Sequence, residues 1–110
     1  KSNIISMLIQ FNTDHNIEGS ERQHAYFRTF ISEALDRFSN NITRIEVHIT
    51  DENGNKEGKD DHRCLIEARL QGLQPLADTN NADTLEQAVK GATDKLKSSL
   101  ESAIGRLKTY

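Results

Sequence analysis

Apolar and polar residues alternate one for one along three stretches of the chain, residues 5–12, 44–50 and 63–70. A period of two is typical of β-strands that bury one face. A short fourth strand can form over residues 73–80, where Pro75 favours an edge position because proline cannot donate a hydrogen bond to a neighbouring strand. The alternation therefore predicts three half-buried strands and a fourth strand at an edge.

The apolar residues of another stretch, residues 27–38, recur every three or four positions, which is the spacing of one helical face. Ahead of this stripe, Ser20 and Gln23 have the form of a capping box, in which both side chains satisfy backbone N–H groups of the first turn. The pattern predicts a first helix that begins at Ser20 and ends near residues 39–41.

A second helical stretch lies at the end of the chain. Asp83 is its expected N-cap, with Glu86 completing a capping box, and its apolar stripe continues to Leu107. About 25 residues make about 37 Å of helix, so the last turns are expected to project past a small sheet. The predicted order is β-α-β-β-β-α, an α+β fold in which both helices pack on one face of a four-stranded sheet.

The composition bounds the class of protein. A chain of 110 residues suits one domain over residues 1–110, and its single cysteine cannot form an internal disulfide. No apolar run approaches the roughly 20 residues of a membrane span, and the N-terminus lacks a signal-peptide pattern. A soluble, cytoplasmic domain without a membrane partner is therefore expected.

The charge balance argues against simple nucleic-acid binding. Fourteen Lys and Arg against seventeen Asp and Glu leave a net charge of −3, whereas proteins that bind nucleic acid through phosphates alone are usually strongly basic. Any such contact has to come from a local patch. The outward positions of the predicted strands carry no Phe, Tyr or Trp, which argues against stacking of RNA bases on the sheet as the function.

The residues that could carry chemistry favour no enzyme. Cys64 falls on the buried side of its strand, where packing is the favoured interpretation over nucleophilic catalysis. His48 and His62 could approach each other across the sheet, but ordinary surface histidines are favoured. The acidic segment 51–55 resembles the start of an EF-hand calcium loop. The sixth position of that loop must be glycine, and here it is Lys56, so a solvated turn is favoured. We predict no catalytic residues, no metal site, no cofactor and no small-molecule substrate.

The last helix carries positive charge along two lines, as judged from a rotation of about 100° per residue. One flank of the apolar stripe holds Lys95 and Arg106. The outward line mixes both signs: Lys90, Asp94, Lys97, Glu101 and Lys108. From composition alone a solvated face stabilised by ion pairs is the favoured interpretation, and a phosphate-binding surface is the alternative.

Several segments occur in an order and spacing that resemble one family. They are residues 44–54 (RIEVHITDENG), 63–69 (RCLIEAR), 82–85 (ADTL), 92–96 (ATDKL) and, in the first helix, 34–38 (ALDRF). Together they resemble the ribosome hibernation promoting factor / ribosome-associated inhibitor family, also labelled sigma-54 modulation proteins. The resemblance spans nearly the whole chain and is to the short type, since the chain stops after the second helix.

The resemblance implies a fold like that of double-stranded-RNA-binding domains. Members of the family bind the small ribosomal subunit between head and body, overlap the mRNA and tRNA paths, and silence translation reversibly under stress. Their contacts are mainly basic side chains of the two helices on rRNA phosphates, a form of recognition in which charge positions the protein without reading bases.

Carrying the family's basic positions onto this chain identifies candidate rRNA-binding residues. They are Lys95, Arg106 and Lys108 in the final helix and Arg28 and Arg37 in the first. Because the helices are expected to lie side by side, both sets are expected to line one groove. Other basic positions of the family hold Ser32, Asp36, Ser98, Ser102 and Ile104 here. Each lost phosphate contact weakens binding. A second hypothesis is therefore a protein-interaction or stress-response module of the same fold that has lost rRNA binding.

Overall fold

A computed structural model describes residues 8–13, 20–51 and 62–107. The elements follow the predicted order β-α-β-β-β-α. They are β1 (Leu8–Thr13), α1 (Ser20–Ala34), a 3-10 turn (Asp36–Phe38), β2 (Ile42–Asp51), β3 (His62–Leu70), β4 (Leu76–Ala82) and α2 (Leu85–Leu107). Neither helix in these ranges combines the length and apolar content that crossing a bilayer requires.

The four strands form one sheet in the order β1-β2-β3-β4. β1 runs parallel to β2, with α1 as the crossover between them, while β3 and β4 continue the sheet in antiparallel pairs. β4 lies at an edge, and Pro75 immediately precedes it, so the proline removes no donor from the ladder. Gly72 makes the turn between β3 and β4 at a φ of 73°, a left-handed conformation that favours glycine.

Both helices cover one face of this sheet. The predicted inward residues of β2 and β3 are buried, with Val47 opposite Ile66 and Ile49 opposite Cys64. The helices bury a matching set against them: Phe27, Ile31, Leu35, Ala88, Val89, Ala92, Leu96, Leu100 and Ile104. The alternation of the strands and the stripes of the helices therefore define one aliphatic core, as predicted.

The first helix ends at Ala34, earlier than the predicted residues 39–41. The chain tightens into the 3-10 turn, where the Phe38 N–H donates to the Leu35 carbonyl at 2.9 Å. Side chains three residues apart are eclipsed in 3-10 geometry, so Leu35 and Phe38 both stay buried. The apolar stripe thus continues beyond the end of the α-helix that it predicted.

The start of α2 also differs by one residue from the prediction. The Gln87 N–H donates to Thr84 Oγ1 at 3.1 Å, so Thr84 and not Asp83 is the N-cap. Glu86 therefore does not complete a capping box. At the other end Ile104 is still buried, so α2 packs on the core to within one turn of its end, whereas its last turns were predicted to project.

Candidate nucleic-acid interface

The outer surface of α1, the 3-10 turn and α2, called here the helical layer, holds the predicted rRNA-binding residues. Arg28 on α1, Arg37 in the 3-10 turn and Lys95 on α2 are exposed. The backbone of Arg106 lies in the last turn of α2, but its side chain is outside the described part, as is the whole of Lys108. Three of the five candidates can therefore be placed by their side chains.

Lys95 lies on the flank of α2 that faces the sheet edge. Its Nζ donates to the backbone carbonyl oxygen of Thr79 on β4 at 3.0 Å. One turn later, the Ser99 hydroxyl donates to Asp78 Oδ2 at 2.9 Å. These two contacts fix this flank of α2 against β4 and leave the Lys95 ammonium group at the rim of the layer.

Arg37 is bound to the opposite flank of α2. Its Nη2 lies 2.9 Å from Glu101 Oε2, and its guanidinium carbon lies 4.9 Å from the centre of the Phe38 ring. The side chains of Arg37 and Glu101 are 63% and 43% exposed, so this is a surface ion pair that solvent screens. The guanidinium group is well oriented, but a carboxylate already occupies one of its donors.

Lys95 and Arg37 do not share a groove. Lys95 and Glu101 are six residues apart, which is about 240° of helical rotation, so they lie on different flanks of α2. The expectation of one groove fails for this pair, because α2 itself stands between them, whereas the side chains of Arg106 and Lys108 lie outside the described residues. The exposed ridge that separates them carries Asp94 and Ser98, which offer no positive charge.

Arg28 ties α1 to β1 through aromatic rings. Its guanidinium carbon lies 5.3 Å from the centre of the Phe11 ring, and Phe11 stacks on His24 with 4.4 Å between ring centres. Burial, followed by the positive charge of Arg28, lowers the pKa of His24. Where α1 contacts β1, Arg28 therefore carries the positive charge, and the neutral form of His24 is favoured.

A further cation of the layer, Lys90, was not among the predicted site residues. Its Nζ lies 2.9 Å from Glu86 Oε2, which also accepts a hydrogen bond of 3.0 Å from the Tyr26 hydroxyl. The same ammonium group lies 5.2 Å from the centre of the Phe30 ring. The hydrogen bond with Lys90 and then that with Tyr26 lower the pKa of Glu86, and Glu86 raises the pKa of Lys90.

The residues Tyr26, Phe30, Glu86 and Lys90 form a Lys90 cluster, of which the sequence indicated only part. Glu86 and Lys90 are four residues apart, which is a visible helix-stabilising pair. The two aromatic residues come from α1, some sixty positions earlier, and no spacing rule connects them with Lys90. The cluster joins α1 to α2 and keeps Lys90 charged, but it also gives the charge a carboxylate partner.

Several solved structures share the fold. The chain is similar to the Protein Y N-terminal domain of Thermus thermophilus, with 16% identity and a TM-score of 0.64 over 89% of this chain and 98% of that one. It is also similar to a ribosomal subunit interface protein from Coxiella burnetii, with 16% identity and a TM-score of 0.65 over 90% and 99% of the two chains. At this identity the likeness shows the fold alone. No curated protein sequence matches the chain.

The sequence also matches a protein family, described as sigma 54 modulation protein / S30EA ribosomal protein, over residues 11–108. The match runs from β1 to the end of α2 and includes all five predicted site residues. The order of motifs along the strands and helices had indicated the same family. The chain belongs to the sigma 54 modulation protein / S30EA ribosomal protein family.

Proposed function

We propose that this protein is a cytoplasmic, ribosome-associated factor that binds the small ribosomal subunit through rRNA phosphates and reversibly inhibits translation. The observation that carries the proposal is the family match over residues 11–108 of a chain that has the matching fold. The similar structure from Coxiella burnetii is itself named a ribosomal subunit interface protein.

The helical layer supports contact with phosphates more than with bases. Arg28, Arg37 and Lys95 are exposed and charged, and Arg106 and Lys108 follow in the same family match. The described residues of the opposite face of the sheet include no Phe, Tyr or Trp on which a base could stack. Charge-led recognition of rRNA shape is the mode that fits this distribution.

Charge pairing favours a second candidate, a module of the same fold that binds a protein instead of rRNA. The net charge is −3, and Glu101 and Glu86 already pair with Arg37 and Lys90. RNA that reached both flanks of α2 would also pass Asp94 on the ridge between them. This candidate predicts that the protein does not bind ribosomal subunits even at low salt.

Co-sedimentation with purified small subunits over a salt series tests the first proposal. The site variant is Arg28→Glu/Lys95→Glu, which reverses two exposed cations of the helical layer. The matched control is Arg63→Glu/Arg69→Glu, which makes the same change of charge on the opposite, open face of the sheet. A parallel translation assay measures inhibition, and its relief on adding excess small subunits measures reversibility.

We expect the parent to sediment with subunits in a salt-sensitive manner and the control to follow it closely. The site variant should bind far more weakly. If weak residual binding is measurable, the slope of log K against log salt should fall by roughly 1.4–1.8, since each phosphate contact contributes about 0.7–0.9. Equal losses in both variants would show that only net charge matters. A parent that stays in the supernatant at low salt would favour the protein-interaction module.

A further inference from the structure

Three side chains with metal-binding atoms meet on the open face of the sheet, away from both helices. Glu46 and His48 lie two residues apart on β2, so their side chains share one face. Glu67 on β3 lies directly opposite Glu46 in the antiparallel register. All three side chains are half-buried. This arrangement, called here the Glu-His-Glu cluster, takes no part in the proposed rRNA contacts.

The distances within the cluster suit a metal ion. One ligand atom from each residue lies within 4.8 Å of the other two. His48 Nε2 is 3.5 Å from Glu46 Oε1. Two ligands at about 2.0–2.1 Å from a tetrahedral Zn²⁺ are separated by about 3.3–3.4 Å. The His48–Glu46 edge therefore already has nearly the separation that one ion would impose.

Arg44 orients one carboxylate of the cluster. Arg44 Nη2 holds Glu46 Oε2 at 2.8 Å, and the other oxygen, Oε1, is the one nearest His48. A metal-bound carboxylate is commonly held this way by an outer hydrogen bond. Glu46 also faces Glu67 across a central strand pair, and a metal ion bound by both carboxylates would offset the repulsion between them.

We propose that Glu46, His48 and Glu67 bind a divalent transition-metal ion, and that Zn²⁺ is the ion that fits them best. The imidazole ligand favours zinc, cobalt or nickel over magnesium and calcium, which prefer oxygen. Three protein ligands leave a fourth position for water. The ion would join β2 to β3 at the centre of the sheet.

Sequence reasoning missed this site because it needs the strand register. It compared His48 with His62, but His62 lies opposite Asp51, and strand alternation places it on the other face from His48. Cys64 also lies on the helical side of β3, and burial raises its pKa to about 12. The thiol is therefore not a ligand of this site.

The experiment uses the whole chain, from which metal has been removed by chelation. Calorimetric titration with ZnCl₂ measures Zn²⁺ affinity, and visible absorption after addition of Co²⁺ reports the coordination geometry. The test variants are Glu67→Gln and His48→Asn, and Glu33→Gln on exposed α1 is the control for charge. We expect one Zn²⁺ per chain and a tetrahedral Co²⁺ spectrum for the parent and the control. Each test variant should lose more than about tenfold in affinity, because even outer-sphere partners of a metal site contribute 10–100-fold.

Thermal melting provides a second readout that separates loss of metal from loss of fold. Without metal, Glu67→Gln should melt at or slightly above the parent, because it removes a like-charge pair. Zn²⁺ should raise the melting temperature of the parent and not that of Glu67→Gln. The proposal is overturned if the parent does not bind Zn²⁺, if both test variants bind it like the parent, or if excess Mg²⁺ displaces it. Because the site lies opposite the helical layer, this result is independent of ribosome binding.

Discussion

Replacing Glu101 by glutamine should strengthen binding to the small subunit. In the free protein the Glu101 carboxylate holds Arg37 Nη2 at 2.9 Å, so a phosphate that binds Arg37 has to compete with it. Glutamine has nearly the same shape and keeps a hydrogen-bonding group, but it carries no charge. The substitution therefore frees Arg37 and removes a negative charge from the surface that would face the RNA.

The size of the effect follows from the exposure of the pair. Exposed ion pairs contribute 0.2–1 kcal/mol, and we take about 0.5 kcal/mol for this one. A carboxylate about 8 Å from a phosphate repels it by about 0.5 kcal/mol in water, which screening at 0.15 M salt reduces to roughly 0.2 kcal/mol. The sum of about 0.7 kcal/mol corresponds to about threefold tighter binding. The free energy of unfolding should fall by less than about 1 kcal/mol.

Fluorescence titration of labelled protein with small subunits at 0.15 M salt can resolve a threefold change. Glu57→Gln is the matched control, because it removes one carboxylate from the segment between β2 and β3 and leaves both the Arg37–Glu101 pair and the Glu-His-Glu cluster unchanged. An unchanged or weakened affinity for Glu101→Gln would refute the idea that this ion pair withholds Arg37 from phosphate. An equal gain in Glu57→Gln would mean that net charge alone sets the affinity.

The remaining predictions come from substitutions in the core and in α2. Val47→Asp places an unpaired charge at a fully buried position and should cost at least about 3 kcal/mol, which a urea melt would show as loss of the parent's cooperative transition. A near-parental transition would contradict the assigned facing of β2. Cys64→Ala should retain subunit binding in the sedimentation assay, since the thiol acts in packing. Burial raises the pKa of Cys64 from 9.0 to about 12, so the parent should lose stability as pH rises through that window, where the unfolded thiol ionises and the folded one does not. The alanine variant should lack this loss in melts taken at successive pH values. Gly91→Ala should destabilise by about 1–2 kcal/mol in urea melts, because its Cβ would collide with the side-chain amide of Asn80, which donates to carbonyl oxygens at the start of α2. Gly105→Ala meets nothing within 4 Å and should stabilise by up to about 1 kcal/mol, so equal effects of the two substitutions would contradict this contact.

The sequence predicted the fold well where burial alone determines the pattern. Alternation in β2 and β3 directly reports which side chains face the helices, so Val47 and Cys64 were placed correctly. The ends of the helices were harder to predict, because two different local structures are compatible with the same pattern of apolar and polar residues. A 3-10 turn keeps Phe38 buried as well as another α-helical turn would. Asp83 and Thr84 can each cap a helix, and only the geometry shows that Thr84 does so.

The candidate site was less predictable, because contacts between distant parts of the chain decide which of its charged side chains are paired. Helical rotation placed Lys95 on a flank of α2, and the structure has it there. The pairing of Arg37 with Glu101 joins residues 64 positions apart, and no local spacing reveals it. The opposition of Glu46 and Glu67 likewise depends on the register of β2 and β3, which alternation leaves undetermined.

The near-neutral helical layer makes salt dependence more informative than affinity alone. Ser20–Ala34, Asp36–Phe38 and Leu85–Leu107 contain seven Lys or Arg and six Asp or Glu, a balance of 7 − 6 = +1. A cation such as Arg37 exchanges a carboxylate for a phosphate, and added salt weakens both interactions. Its contribution to the salt slope is therefore smaller than the 0.7–0.9 of a free cation. Glu101→Gln should steepen the slope toward that value, and by more than a variant that removes one carboxylate elsewhere and leaves the Arg37–Glu101 pair intact.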